Sequence, residues 1–238
     1  MLDTAARIAL SPFLIGQALR IRRIAQSLPE AAGPRSGRIG DGPLLRVGIF
    51  GDSSAAGVGV AHQSQALAGQ LMGVLSHHYE VHWHLDAMTG ATTRSTLSRL
   101  KDADTRPLDI AIVALGVNDV TRLIPAAVWV RQQHALLTRL QAVYQPRHFY
   151  ISGMPPLEHF PLLPQPLRWT LGRHASKLEQ HRIAYLNGRR DCTHVPFDLN
   201  LDPELVAGDG FHPSAKLYAL WGNEMASRII SDWPTLKS

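Results

Sequence analysis

The chain has 238 residues, 45% hydrophobic and 18% charged, with 19 glycines and 16 prolines spread along it. That is enough to close one α/β core, and it excludes a disordered, low-complexity or repeat protein. The formal net charge is +5, but residues 1–46 hold seven arginines against three acids. The remainder is nearly neutral, so no nucleic-acid partner is expected.

Ser11-Pro12 reads as a helix start, an N-cap serine followed by proline at the first helical position. From there Phe13, Leu14, Leu19, Ile21 and Ile24 form an apolar stripe, and Pro29 ends the helix. The apolar run Ile8–Leu19 is interrupted by Pro12 and Gly16 and is too short to span a bilayer. Its basic cluster, Arg20-Ile21-Arg22-Arg23, follows the run instead of preceding it, so no signal peptide is expected. Two readings stand for this helix. One packs it on the outer face of the domain. The other lays residues 11–28 on an anionic membrane. Residues 29–43, rich in Pro, Gly and Arg, read as a linker. The expected division is thus a helix and linker over 1–43 and a domain over 44–238.

Within the domain, Leu45–Phe50 is a buried strand running into Gly51-Asp52-Ser53. Residues 63–77 place Leu67, Leu71, Val74 and Leu75 at helical spacing. Val81–Ala87 alternates apolar and polar, as an edge strand with one wet face does. His82, His84 and Asp86 share that face at a spacing able to hold a metal. Solvation of an outer face explains them as well, and no metal is expected. Thr93–Lys101 reads as a helix, Leu108–Leu115 as a central parallel strand, and residues 126–144 as a long helix. Arg147–Ser152 supplies a fourth strand, Ile183–Leu186 a fifth, and Pro213–Asp232 a final helix. This alternation predicts a parallel sheet covered on both faces, with ligands beyond the carboxyl ends of its strands. Cys192 is the only cysteine. It allows no intramolecular disulfide, suits a reducing compartment, and has no neighbours that mark it as a nucleophile. The expected location is cytoplasmic, with contact to the inner face of the membrane if the first helix lies there.

Four short blocks fall at these strand ends: Gly51-Asp52-Ser53-Ser54, Thr89-Gly90, Gly116-Val117-Asn118-Asp119 and Asp209-Gly210-Phe211-His212-Pro213. They contain a nucleophile in Ser53, a general base in His212, a carboxylate three residues before it in Asp209, and donors for an oxyanion. That is the set of groups needed for acyl transfer by a serine hydrolase. Between a strand and a helix, Ser53 is expected near the positive end of a helix dipole. Ser54 is expected to support it, and Asp119 to cap a helix.

In this order the blocks resemble the SGNH hydrolase family, also called GDSL-type esterases and lipases, over residues 44–232. The resemblance implies a three-layer α/β/α sandwich, flavodoxin-like, on a five-stranded parallel sheet. It implies hydrolysis of esters or thioesters without a cofactor. Ser53 would be the nucleophile, His212 the base and Asp209 its orienting carboxylate. The oxyanion hole would be the backbone N–H groups of Ser53 and Gly90 with the side chain of Asn118.

Residues 154–169 are apolar and proline-rich and follow the fourth strand. Leu157, Phe160, Leu162 and Leu163 are expected to wall an acyl pocket, the alternative being a rigid loop buried against the core. The expected function is cleavage of short- to medium-chain acyl or lipid-like esters through an acyl-enzyme, the partner being a small-molecule or lipid ester. A thioesterase, a lysophospholipase or a carbohydrate deacetylase would use the same residues. A non-catalytic membrane-associated module would be expected to lack a triad member, and none is missing.

Overall fold

A computed structural model describes residues 11–24, 28–100, 106–197 and 202–236. Strand β1 (Ser36–Ile39) is followed by β2 (Leu44–Gly51), helix α2 (Leu67–Leu75) and β3 (Glu80–Ala87), with α1 (Ser11–Ile24) before them all. Then come α3 (Thr93–Arg99), β4 (Ile110–Ala114), the short α4 (Val117–Thr121), α5 (Ala126–Tyr144) and β5 (His148–Ser152). Helix α6 (Leu167–Leu186), β6 (Cys192–Val195) and α7 (Ala215–Leu236) complete the order.

The sheet runs β1-β3-β2-β4-β5-β6. Five strands are parallel, and β1 alone is antiparallel, pairing with β3 from Ser36↔His84 to Ile39↔Val81. Strands β4 and β5 are buried at every position, as central strands covered on both faces must be. Side chains alternate between two cores. Val47, Ile49, Ile112 and Tyr150 pack beneath α2 and α7, with Leu71, Met225 and Ile229. Phe50, Val113 and Ile151 face α5 through Leu136 and Leu140. This is the expected three-layer sandwich with one more strand.

Several expectations change. The stretch read as a linker contributes β1 to the sheet, so β3 is an interior strand. Its polar face is not a wet edge: His82 pairs with Glu80 at 2.8 Å and Asp86 with Arg99 at 2.9 Å. His84 packs against the Phe50 and Tyr144 rings, where burial pushes its pKa down to about 4. Among the described residues no cluster of His, Cys, Asp or Glu has the geometry to hold a metal.

The fifth parallel strand is Cys192–Val195, not Ile183–Leu186, which ends the twenty-residue helix α6. The buried face of α6 includes Thr170, His174 and Arg182 among Leu167, Leu171 and Leu178. Polar residues at core positions hide its helical period.

Helix α1 docks through Leu14 and Ile21 on the cluster formed by α6, Trp129 and the 154–163 loop. Gln17 fixes its rotation by donating to Gln165 O at 2.7 Å and accepting from Leu167 N at 3.2 Å. Phe13, Ile15 and Leu19 remain exposed. The apolar residues read as one stripe are therefore split between two faces. The side chain of Ile24 falls outside the described set.

Candidate active site

Beyond β2 the chain does not enter a helix. It coils through turns, with Ala56 N–H donating to Asp52 O at 2.9 Å and Val58 N–H to Ser53 O at 3.0 Å. The first regular helix waits until Leu67, so the helix dipole expected behind Ser53 is absent. Gly57 and Gly59 both have positive φ, which breaks any helical run here. At Gly59 a Cβ would stand 2.3 Å from Pro213 O and 3.4 Å from His212 Cβ. Only glycine lets the Ser53 loop close onto the loop carrying His212.

That second loop is organised by Asp209. Its Oδ1 accepts the backbone N–H groups of Phe211 and His212, both at 3.0 Å. Its Oδ2 lies 2.5 Å from His212 Nδ1. Burial alone would raise the Asp209 carboxyl. The bonds from His212 and the two amides outweigh it and hold the group below its usual range, hence ionised. An ionised carboxylate only accepts, so Nδ1 carries the hydrogen and donates it to Asp209, which leaves Nε2 as an acceptor. Ser53 Oγ lies 2.9 Å from that nitrogen, its hydroxyl donating. Ser53, His212 and Asp209 thus form one chain of hydrogen bonds although 156 residues separate Ser53 from Asp209 in sequence.

Gly90 lies at the third position of a turn closed by Ala91 N–H to Met88 O at 3.0 Å, with φ of +76°. Such a turn needs positive φ there, and a Cβ at Gly90 would meet no atom within 4 Å. The space over its backbone is open for a substrate. Asn118, in α4, sends Nδ2 to Ala91 O at 3.0 Å and towards Asp52 Oδ2 at 3.4 Å. One amide hydrogen ties the block-three loop to the Gly90 turn. The other makes a long contact that a stronger acceptor can displace.

Two acids beside these residues carry roles that motif reading left open. Asp52 is buried and takes Ser54 N–H at 3.0 Å on its other oxygen. Burial raises its pKa to about 6, against the bond from Ser54 and the attraction of His212. Asp119, expected to cap a helix, is buried. It meets the first turn of α3, accepting Thr93 N–H at 3.1 Å and the Thr93 hydroxyl at 3.0 Å beside the Thr92 N-cap. Trp129 Nε1 and Gln133 Nε2 donate to the same hydroxyl at 3.1 and 2.8 Å. The signal in sequence was an acid at each strand end, next to Ser53 and next to Asn118. Ser54 supports the loop as expected, its carbonyl accepting Tyr218 OH at 2.8 Å. Burial drives the Cys192 thiol up to about 11, which makes it a poor nucleophile.

An apolar cavity opens beside His212, lined by Leu115, Val117, Met154, Phe160, Phe197, Phe211, Leu217 and Trp221, with Asp52 and Ser54 at its polar end. Of the four residues expected to wall a pocket, Phe160 alone lines it. Leu157 and Leu163 are buried in the packing of α6, where they meet Leu167 and Leu171. Leu162 borders a surface groove beside α1 and donates its N–H to Gly210 O at 3.0 Å. The proline-rich loop is therefore mostly core. It touches the cavity through the Phe160 ring, stacked edge-on against Phe211 at 5.1 Å.

The sequence profile of the GDSL-like Lipase/Acylhydrolase family matches residues 49–220. None of the curated proteins matches the chain. Among solved structures, the psychrotrophic esterase EstA from Pseudoalteromonas sp. is 18% identical, with a TM-score of 0.60 over 80% of this chain and 98% of that one. The lipase/acylhydrolase from Enterococcus faecalis is 20% identical, with a TM-score of 0.57 over 78% and 95%. Est24, a carbohydrate acetylesterase from Sinorhizobium meliloti, is 18% identical, with a TM-score of 0.58 over 79% and 99%. At such identities the likeness is one of fold.

Proposed function

From the premise that this chain belongs to the GDSL-like lipase/acylhydrolase family and is a carboxylester hydrolase, we propose that it cleaves short- to medium-chain acyl or lipid-like esters through an acyl-enzyme on Ser53. The observation that carries this reading is the 2.9 Å approach of Ser53 Oγ to His212 Nε2, a residue that also lines the apolar cavity.

The steps follow from the donors and acceptors. Ser53 Oγ attacks the ester carbonyl carbon as its proton passes to His212 Nε2. Asp209, ionised and fixed by two backbone amides, stabilises the imidazolium through Nδ1–H. The carbonyl oxygen becomes an oxyanion that accepts from the Ser53 and Gly90 N–H groups and from Asn118 Nδ2. Collapse expels the alcohol, which takes the proton from His212 Nε2. Water then attacks the acyl-enzyme, giving its proton to the same nitrogen, and the acid leaves Ser53 restored. These steps use the side chains and backbone amides named, with water.

Apolar walls favour an acyl chain over a carbohydrate acetate, since Phe160, Phe197 and Phe211 offer no partner to sugar hydroxyls. Thioester and lysophospholipid cleavage would run on the same triad and separate by substrate profile. Hydrolysis of p-nitrophenyl esters of graded chain length, wild type beside Ser53→Ala, tests the reading. Turnover in wild type alone, with a maximum at short or medium chains, supports it. Equal activity in the variant overturns it.

The exposed side of α1 supports a peripheral membrane contact. Phe13, Ile15 and Leu19 face outward beside the exposed Arg20 and Arg23, apolar and basic together. Flotation with anionic liposomes is expected for wild type and to be lost in Phe13→Ser/Ile15→Ser/Leu19→Ser. Equal flotation of both would remove this part of the proposal.

A further inference from the structure

Residues 30–39 lie outside the stretch matched by the family, yet they run from the Ser53 loop to the Gly90 turn. Ala31 N–H donates to Ala56 O at 3.3 Å and Ala32 N–H to Ala61 O at 3.0 Å. Gln63 N–H returns to Ala32 O at 2.7 Å, and Leu85 N–H donates to Arg35 O at 2.7 Å. The segment is therefore stitched down at both ends, and Glu30 and Arg35 stand on a fixed backbone.

Glu30 Oε1 accepts from Thr89 twice, from the backbone N–H at 2.7 Å and the hydroxyl at 2.8 Å. Its Oε2 accepts from Arg35 Nη2 at 2.8 Å, and Arg35 Nη1 donates to Ala87 O at 2.9 Å. The carboxylate thus bridges the end of β3 and the residue before Gly90. Arg122 Nη2 holds the other side, donating to Gly90 O at 3.2 Å. Between these two grips lies the Thr89–Gly90 peptide. Rotation of that one peptide plane converts one common turn type into another, and it reverses the direction of the Gly90 N–H.

We propose that Glu30 is a positioning residue for the oxyanion hole: by holding Thr89 through two hydrogen bonds it keeps the Thr89–Gly90 peptide in the orientation that presents the Gly90 N–H to the substrate carbonyl. The proposal rests on the esterase reading above. The value of the contact is geometric. Glu30 and Arg35 are about one-third exposed, and such a pair adds little to stability. A donor that points away is unavailable to the oxyanion, whereas binding of the neutral ester barely senses it.

The test compares Glu30→Ala and Glu30→Gln with wild type in the full chain, using a p-nitrophenyl ester and amide hydrogen exchange over residues 86–92. Complete removal of an oxyanion donor costs about 10²–10³ in turnover. Loosening one is expected to lower kcat about tenfold in Glu30→Ala, with KM unchanged and faster exchange at 88–91. Glu30→Gln keeps an acceptor oxygen for Thr89 and is expected to recover most of the rate. Unchanged kcat and exchange in Glu30→Ala would overturn the proposal, as would a raised KM at constant kcat or no recovery in Glu30→Gln. Should Glu30→Ala not fold, Thr89→Val removes the hydroxyl contact and carries the same comparison. Absence of ester turnover in wild type would overturn the esterase reading itself, and the exchange at 88–91 would still decide whether Glu30 holds the turn.

Discussion

Thr93 gives both of its hydrogens to Asp119 Oδ2, the backbone N–H at 3.1 Å and the hydroxyl at 3.0 Å. This contact joins the first turn of α3, just beyond Gly90, to the residue after Asn118. Two loops that are each expected to hold an oxyanion donor are thereby locked together inside the protein.

Asp119→Ala is expected to damage both stability and rate. It strands a buried N–H and a hydroxyl that Trp129 and Gln133 also contact, a loss of about 1–3 kcal/mol. Asn118 and Ala91 then lose their shared support, so kcat falls more than KM rises. Urea denaturation and steady-state kinetics read the two effects, and a variant unchanged in both would refute the role.

Removing the nucleophile is a cleaner change. Ser53→Ala is expected to lose at least about 10³ in kcat while keeping its unfolding midpoint, because among the described residues the hydroxyl bonds only to His212. Asp209→Asn leaves an oxygen for the Phe211 and His212 amides but disturbs the imidazole tautomer, with an expected loss of about 10³–10⁴. Melting curves and ester kinetics on the same samples check both.

Asn118→Ala tests the side-chain donor. The loss expected is about 10²–10³ in kcat with KM little changed, since the developing oxyanion gains most from this bond. A proportionate rise in KM with kcat intact would mean that Asn118 binds the ground state instead.

A pH dependence follows from Asp52. Its folded pKa of about 6 stands above the ordinary carboxylate value of 3.8, chiefly through burial. Between these values the folded state binds the proton more readily than the unfolded chain does. The stabilisation is therefore present in full below the lower value and is lost as pH rises through about 6, on the order of 3 kcal/mol in all. Asp52→Asn has no such titration. The melting temperature of wild type minus that of the variant is expected to fall between pH 4 and pH 7. A constant or rising difference would show that Asp52 is ionised throughout.

Strands β2, β4 and β5 were legible because each is a short, nearly continuous apolar run ending in a glycine or serine turn. The triad was legible for a related reason: each of its members sits in a block whose neighbours shape the loop that presents it. Helix α6 was not, because Thr170, His174 and Arg182 occupy its inner face. Arg182 donates there to Leu115 O at 3.3 Å and to Glu179 and lies over the Trp129 ring at 5.5 Å. Glu179 is an i,i+3 partner within the helix, but Leu115 and Trp129 are not implied by the helix's own sequence. Strand β1 was equally hidden. Its four residues, Ser36-Gly37-Arg38-Ile39, carry no apolar alternation and are a strand only because β3 has a free edge to pair with.

The sequence by itself determined the alternating α/β order, the placement of Ser53, Gly90 and Asn118 after strands, and the Asp209–His212 pairing within one loop. Those are local matters, set by periodicity and by residues a few positions apart. Tertiary structure alone decided that Asp52 and Asp119 are buried next to the Ser53 and Asn118 loops, that the apolar cavity beside His212 is lined by Met154, Phe197, Phe211 and Trp221, and that Leu157 and Leu163 belong to the core. It also decided that Glu30 reaches Thr89, 59 residues away. Burial of a charge, and the partner that offsets it, depend on what the rest of the chain packs against that group, and no short window of sequence contains both.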